Sequence, residues 1–189
     1  VKNFDNTAKQ IILIGIARAM MYLHKYRVVH RDLKPGNVLL DENLYPHITD
    51  FGLSKIFSNE LSMSQSYQVG TLAYMAPEII NNLKCSSKID VYAFGILMFE
   101  VITNRSAYPE LGKTLNQYQF NKKIAEEDAR PVFKKDDKIK KTLKQLMQKC
   151  WSKNPDDRPT FESIFKKLAY NMDDVVDAMD DPGDQYYLD

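Results

Sequence analysis

Residues 30–37 read His-Arg-Asp-Leu-Lys-Pro-Gly-Asn, and thirteen positions beyond Asn37 stands Asp50-Phe51-Gly52. The carboxylates of Asp32 and Asp50 and the amide oxygen of Asn37 are hard donors of the kind that hold small divalent cations. Lys34 adds a positive point charge within the same short segment. Taken singly, each has an ordinary reading: an aspartate in a loop is most often a turn former, and Asp-Phe-Gly alone is a tight turn. The case for chemistry rests on the set and its order. Further along come Ala76-Pro77-Glu78, then Asp90, then Asn154-Pro155-Asp156-Asp157-Arg158-Pro159. His24 and His47 lack metal-ligand spacing and read as surface or structural groups. Cys85 and Cys150 are too few and too isolated for a disulfide framework or zinc cluster, and read as small buried apolar residues in a reducing compartment.

The elements that must position these residues are legible from apolar periodicity. Asp5, Asn6 and Thr7 offer N-cap oxygens ahead of Gln10 to His24, a run almost wholly apolar apart from Arg18, which predicts a buried helix. Arg27–Val29, Val38–Leu40 and Pro46–Thr49 are short extended pieces, with Pro35-Gly36 a loop signal between the first two. Residues 54–70, rich in Ser, Gln and Asn, predict a long loop. Ile89–Thr103 predicts a second buried rod, Thr114–Asp128 a more polar helix, and Asp137–Trp151 an amphipathic one. Thr160 caps a last helix through Tyr170. The expected fold class is α+β, mainly α, with short β-hairpins.

Composition narrows the function classes. Of 189 residues, 44% are apolar and 27% charged, an ordinary globular balance. A net charge of +1 argues against a dedicated nucleic-acid surface. The longest apolar stretches fall well short of the roughly 20 residues of a membrane span, and the first ten residues show no secretory signal. A soluble, cytoplasmic domain is expected. Charge is uneven: residues 172–189 hold seven aspartates and no lysine or arginine, so residues 1–171 carry 26 basic against 18 acidic groups. The expected division is a body over 1–171 and an acidic, mobile tail over 172–189.

In order and spacing these motifs resemble the eukaryotic protein kinase catalytic domain, specifically its larger C-terminal lobe, over about residues 5 to 171. The resemblance implies a lobe that works with ATP and magnesium on protein substrates. It implies that Asp32 accepts the proton of a substrate hydroxyl, that Lys34 places positive charge on the transferring phosphate, and that Asn37 and Asp50 bind magnesium. Leu39 would line the floor of the adenine pocket. Asp90 would brace the backbone of His30-Arg31, Glu78 and Arg158 would form a buried ion pair, and Trp151 would be core packing. Lys34 and Thr71 resemble serine/threonine-specific members, and Cys150-Trp151 with Arg158-Pro159 points to the tyrosine-kinase-like group. Gly36 departs from a common family glutamate, which puts a basic substrate consensus in doubt. Asn104-Arg105-Ser106 fits a glycosylation sequon that a cytosolic protein would not use.

Arg31 before Asp32 implies control by a phosphorylated loop, with Ser64 or Ser66 the favoured site among Ser62, Ser64, Ser66, Tyr67 and Thr71. No Gly-x-Gly-x-x-Gly occurs among the seven glycines, and only about 25 residues precede the catalytic loop, too few for the smaller lobe that grips the ATP phosphates in this family. The expectation is a piece of a kinase domain, lacking the N-lobe sheet, in which ATP has a floor and no roof and the apolar surfaces of His30 and Phe51 lie open. A second reading is a kinase-like lobe that docks partners and does no chemistry. The sequence upstream of Val1 separates the two.

Overall fold

A computed structural model describes residues 4–56, 72–111 and 113–170. The first helix, α1 (Asn6–Lys25), starts where Asp5, one of the expected N-cap residues, accepts a 2.7 Å hydrogen bond from the Ala8 amide. Its buried residues include Ile12, Leu13, Ile16, Ala17 and Met20. Lys9 lies along this buried face with its Nζ on the Ile102 carbonyl, and desolvation lowers its pKa.

Two small antiparallel pairs follow. β1 (Val28–Val29) pairs with β4 (Lys55–Ile56), and β2 (Val38–Leu40) pairs with β3 (Pro46–Ile48) in the register Val38↔Ile48, Leu39↔His47, Leu40↔Pro46. The β2–β3 turn is held by Asp41, whose Oδ1 accepts from the amides of Asn43 and Tyr45, both at 2.9 Å. This hairpin lies on α1 at Gly15, where a Cβ would stand 2.5 Å from the Pro46 ring. Only glycine allows so close an approach. β4 falls in the stretch expected to be loop; two residues paired with a distant strand leave no periodic signal.

The other α-helices among the described residues are α2 (Pro77–Ile80), α3 (Lys88–Thr103), α4 (Gln117–Ala125), α5 (Lys141–Cys150) and α6 (Phe161–Tyr170). α3 is buried from Ile89 to Phe99 and is the central rod. Asn104 at φ 51° closes it in the left-handed conformation that asparagine tolerates. Gly95 lets α5 approach, because a Cβ there would lie 2.7 Å from the Cys150 Cβ. α4 is shorter than expected because an Asn116–Gln119 capping box sets its start. α5 also starts late: the Asp137 carboxylate accepts from the Arg105 guanidinium at 2.5 Å and from the Lys134 amide at 2.7 Å, which holds residues 134–137 as a turn. Thr160 caps α6 as expected, its hydroxyl accepting from the Ser163 amide. One hydrophobic cluster joins α1, α3, α5 and α6 and includes Trp151, Cys85 and Cys150. The fold is mainly helical with two-stranded sheets, as the composition of elements implied. No described helix is long and apolar enough to cross a membrane.

Candidate active site

β1 delivers the chain into His30, and the side chain of Asp90 from the first turn of α3 receives it. Asp90 Oδ2 accepts the His30 amide at 2.9 Å, and Oδ1 accepts the Arg31 amide at 2.8 Å. Arg31 sits at φ 73°, a left-handed conformation costly for a side chain of this size, and the paired amide bonds hold it there. His24 Nε2 lies 2.9 Å from the same Asp90 Oδ2, so the end of α1 is tied to the loop through one carboxylate. The His30 ring bonds the Thr49 carbonyl at 3.0 Å and packs edge-on against Phe51 at 5.2 Å between centroids.

Here one expectation is corrected. His30 is 0% exposed rather than left open, because Thr49 and Phe51 come round to cover it; Phe51 itself is 47% exposed.

Asp32 is buried, with unequal oxygens. Its Oδ2 accepts from Lys34 Nζ at 2.6 Å and from Asn37 Nδ2 at 2.9 Å, while Oδ1 is buried without a partner. Asn37 Nδ2 also donates to the Asp32 carbonyl at 2.8 Å, closing the loop on itself across Pro35-Gly36. With its nitrogen so engaged, the Asn37 amide oxygen faces the other way.

The β2–β3 register then explains why Asp50 belongs with this group. Asn37 immediately precedes β2 and Thr49 immediately follows β3, so antiparallel pairing sets them opposite each other. The Thr49 amide and hydroxyl donate to the Asn37 carbonyl at 2.9 and 3.2 Å. Asp50 is the next residue, at φ 61° with an exposed carboxylate whose Oδ1 accepts the Gly52 amide at 3.4 Å. β1 and β4 add a second tie, the Ser54 hydroxyl donating to the His30 carbonyl at 3.3 Å. Leu39, on β2, is 59% exposed. Asp32, Lys34 and Asn37 are joined by direct bonds, and Asp50 is brought alongside by backbone pairing. Among the described residues no cluster of three His, Cys, Asp or Glu side chains has metal-holding geometry, so any cation here takes Asn37 or backbone and substrate oxygens as well.

Arg158 and Glu78 form a two-pronged ion pair at 2.6 and 2.8 Å. Arg158 also donates to the carbonyls of Ser152, Lys88 and Lys153, while Lys88 Nζ returns to the Arg158 carbonyl. This knot fastens α2 to the segment before α6. Burial, with the nearby Glu78 charge, pushes the Cys85 thiol up to about 11. Tyr74, at the start of the same segment, donates to Glu100 Oε2 at 2.5 Å, and burial together with that carboxylate raises its phenol. Sequence reasoning left His24 undecided and missed Thr49 and Tyr74; a lone histidine ending a buried apolar helix was the available signal for the first. Trp151 packs against Phe99 and Phe133 in the core, and His47 is an exposed partner of Asp41. Ser62, Ser64, Ser66, Tyr67 and Thr71, like the tail over 172–189, lie outside the described residues.

A buried aspartate beside a lysine and an asparagine, a second aspartate set opposite by a hairpin, and a carboxylate brace from the central helix together define a kinase-type catalytic loop. The chain belongs to the protein kinase domain family, which it matches over residues 2–168. It is 38% identical over 155 residues to the RGS domain-containing serine/threonine-protein kinase A of Dictyostelium discoideum, covering 82% of this chain and 13% of that protein. It is 38% identical over 156 residues to the dual specificity protein kinase shkA of the same organism, covering 80% and 29%. It is 38% identical over 179 residues to a putative mitogen-activated protein kinase kinase kinase 7-like protein of Drosophila melanogaster, covering 92% and 44%. The chain thus spans less than half the length of these relatives.

Proposed function

We propose that this lobe carries out phosphoryl transfer from ATP to serine and threonine hydroxyls of protein substrates when it acts within a longer kinase. The observation that carries this reading is the asymmetry of Asp32: one carboxylate oxygen pinned by Lys34 and Asn37, the other buried and unpartnered. An orphaned buried oxygen is unfavourable unless a donor arrives, and a substrate hydroxyl is such a donor. Asp32 Oδ1 accepts the hydroxyl hydrogen and aims the oxygen lone pair at the γ-phosphorus. As the new O–P bond forms and the bond to the leaving diphosphate breaks, the proton passes to Asp32. Lys34 lies close enough to Asp32 to shift onto the transferring phosphate and offset its charge.

The donor set fits magnesium: Asp50 offers an exposed carboxylate, and Asn37 an amide oxygen turned away from Asp32. When bound, magnesium neutralises charge on the β- and γ-phosphates. Leu39 and Phe51 present apolar surface beside these groups, suited to an adenine ring and to an upper lobe. Arg31 has a buried Nε without a partner, which supports a role in receiving a phosphorylated loop residue, with Ser64 or Ser66 favoured. Residues 1–189 alone bind nucleotide weakly and transfer negligible phosphate, because no glycine-rich loop or strand lysine within them grips the phosphates.

The test is transfer of labelled γ-phosphate from ATP to protein substrate by a longer protein that includes this lobe, unaltered and as Asp32→Asn. The expected result is labelled phosphoserine and phosphothreonine, reduced about 10²–10⁴-fold in kcat by the substitution. Activity that survives Asp32→Asn overturns the mechanism. No transfer at all favours the docking-lobe reading, and phosphotyrosine among the products corrects the assigned hydroxyl class.

A further inference from the structure

A groove of about 750 Å³ lies between the second half of α1, the start of α3 and the length of α6, and none of the candidate active-site residues lines it. Its volume is that of a built ligand site. Met21, Val91 and Phe165 give it apolar surface. Tyr22 and Tyr170 also line it while 59% and 69% exposed, and the Tyr26 ring leans on that of Tyr22 at 4.8 Å between centroids. Tyrosine, phenylalanine and methionine are the types enriched where one protein receives a segment of another. Exposed rings gathered at one groove mark an interaction surface rather than scattered apolar residues.

Charge sets the sign of the occupant. Arg18, Lys25, Lys88 and Lys166 line the groove against one carboxylate, Glu162. Lys166 is offset by Glu162 at 2.7 Å, and Lys88 turns its ammonium to the Arg158 carbonyl. Arg18 and Lys25, both exposed, keep the open side positive. Length bounds the occupant as well: the ten residues of α6 run about 15 Å, which about five residues of extended chain span. Recessed apolar side chains suit the anchors of a peptide, whereas a nucleic-acid strand needs a longer track of cations for its backbone.

We propose that this groove docks a short acidic segment of a partner protein. A bulky apolar side chain of that segment seats on Met21, Val91 and Phe165, and its flanking aspartate or glutamate carboxylates meet Arg18 and Lys25. The groove shares no lining residue with the loop that carries Asp32, Lys34 and Asn37. A docked segment therefore leaves that loop open, and the inference stands whichever hydroxyl the lobe phosphorylates.

The test selects short random peptides from a display library on the immobilised full chain, then measures the enriched peptides, synthesised with a fluorophore, by anisotropy. Acidic sequences carrying a large apolar residue are expected to be enriched. Arg18→Glu/Lys25→Glu is expected to weaken their binding at least about tenfold. Lys134→Glu/Lys135→Glu, the same change of charge outside the groove, is expected to leave it within about twofold. All four positions are exposed, so the variants keep the packed body, and unchanged far-UV circular dichroism checks this. Equal losses in the two variants overturn the proposal, because the attraction is then to net charge and not to the groove. A library that enriches no acidic sequence, as when another part of the same chain holds the groove, overturns it too. So does self-association lost in Arg18→Glu/Lys25→Glu, which makes a second copy the occupant, or a single-stranded oligonucleotide that binds through those two residues more tightly than every selected peptide.

Discussion

Arg158 heads the largest side chains sealed inside the described structure, and among the described residues the Glu78 carboxylate is its one ion-pair partner. Glu78→Leu leaves a guanidinium with no counter-charge in a site that water does not reach, and Arg158→Met leaves the converse. Each single change is expected to cost about 3–5 kcal/mol. Removing both ends of a buried pair is often nearly neutral, yet here Arg158 also serves the Ser152, Lys88 and Lys153 carbonyls. At about 1 kcal/mol for each hydrogen bond lost, the double variant keeps a deficit of about 3 kcal/mol. The singles therefore sum to well above the double, leaving a coupling of at least about 3 kcal/mol. Urea unfolding of the four proteins, followed by fluorescence of Trp151, the single tryptophan, measures the cycle. Additive costs, or single variants within about 1 kcal/mol of the parent, would show that the knot is ornamental and that α2 is held by apolar packing alone.

Three other perturbations follow from the same contacts. Asp90→Ala strands the buried amide of His30, at about 1–3 kcal/mol, and the part-buried amide of Arg31, at less; hydrogen exchange at those two amides should accelerate before that of α3, and unchanged protection would refute the brace. Gly95→Ala drives a methyl into the Cys150 Cβ 2.7 Å away and is expected to cost about 1–3 kcal/mol in thermal unfolding. Cys150→Ala should not rescue it, since the Cβ remains, and rescue would mean that the contact is misassigned. Burial pushes the Cys150 thiol up to about 12 from an ordinary 9.0. The unfolded chain therefore releases this proton first as pH rises, and the associated stability is complete below pH 9 and lost progressively toward pH 12. Urea unfolding between pH 8 and 11 should show this decline, and a Cys150→Ala chain that declines equally steeply would refute it.

Much of the fold was legible because its long helices carry their burial in their periodicity. α1 and α3 are apolar rods close to their expected ranges, α1 starts at one of its expected cap residues, Asp5, and α6 begins at the threonine that marks it. What was missed depends on partners distant in sequence. β4 is two residues that become a strand only by pairing with β1. The late start of α5 follows from Asp137 turning to Arg105, a partner 32 positions away that no local pattern reveals. At the site, Asp32, Lys34 and Asn37 lie within one short loop, so their proximity could be read directly. Asp50 is near them because a hairpin returns the chain, and the length of β2 and β3 made that inferable. The burial of His30 was misjudged because its cover comes from Thr49 and Phe51, within the same lobe rather than from above. His24 shows a further limit: a histidine at a helix end looks solvent-facing until the carboxylate it meets is known.

The claim on which the rest depends is that Asn37 and Asp50 form one cation cradle beside Asp32, and paramagnetic broadening by manganese tests it most directly. Manganese accepts the same hard oxygen ligands as magnesium. Added with ATP to the isotopically labelled chain, it should broaden first the Asn37 side-chain amide and the backbone amides of Thr49 and Gly52, and Asp50→Ala should abolish that broadening. Broadening confined to the aspartates of residues 173–181, with Asn37 and Gly52 untouched, would contradict the account.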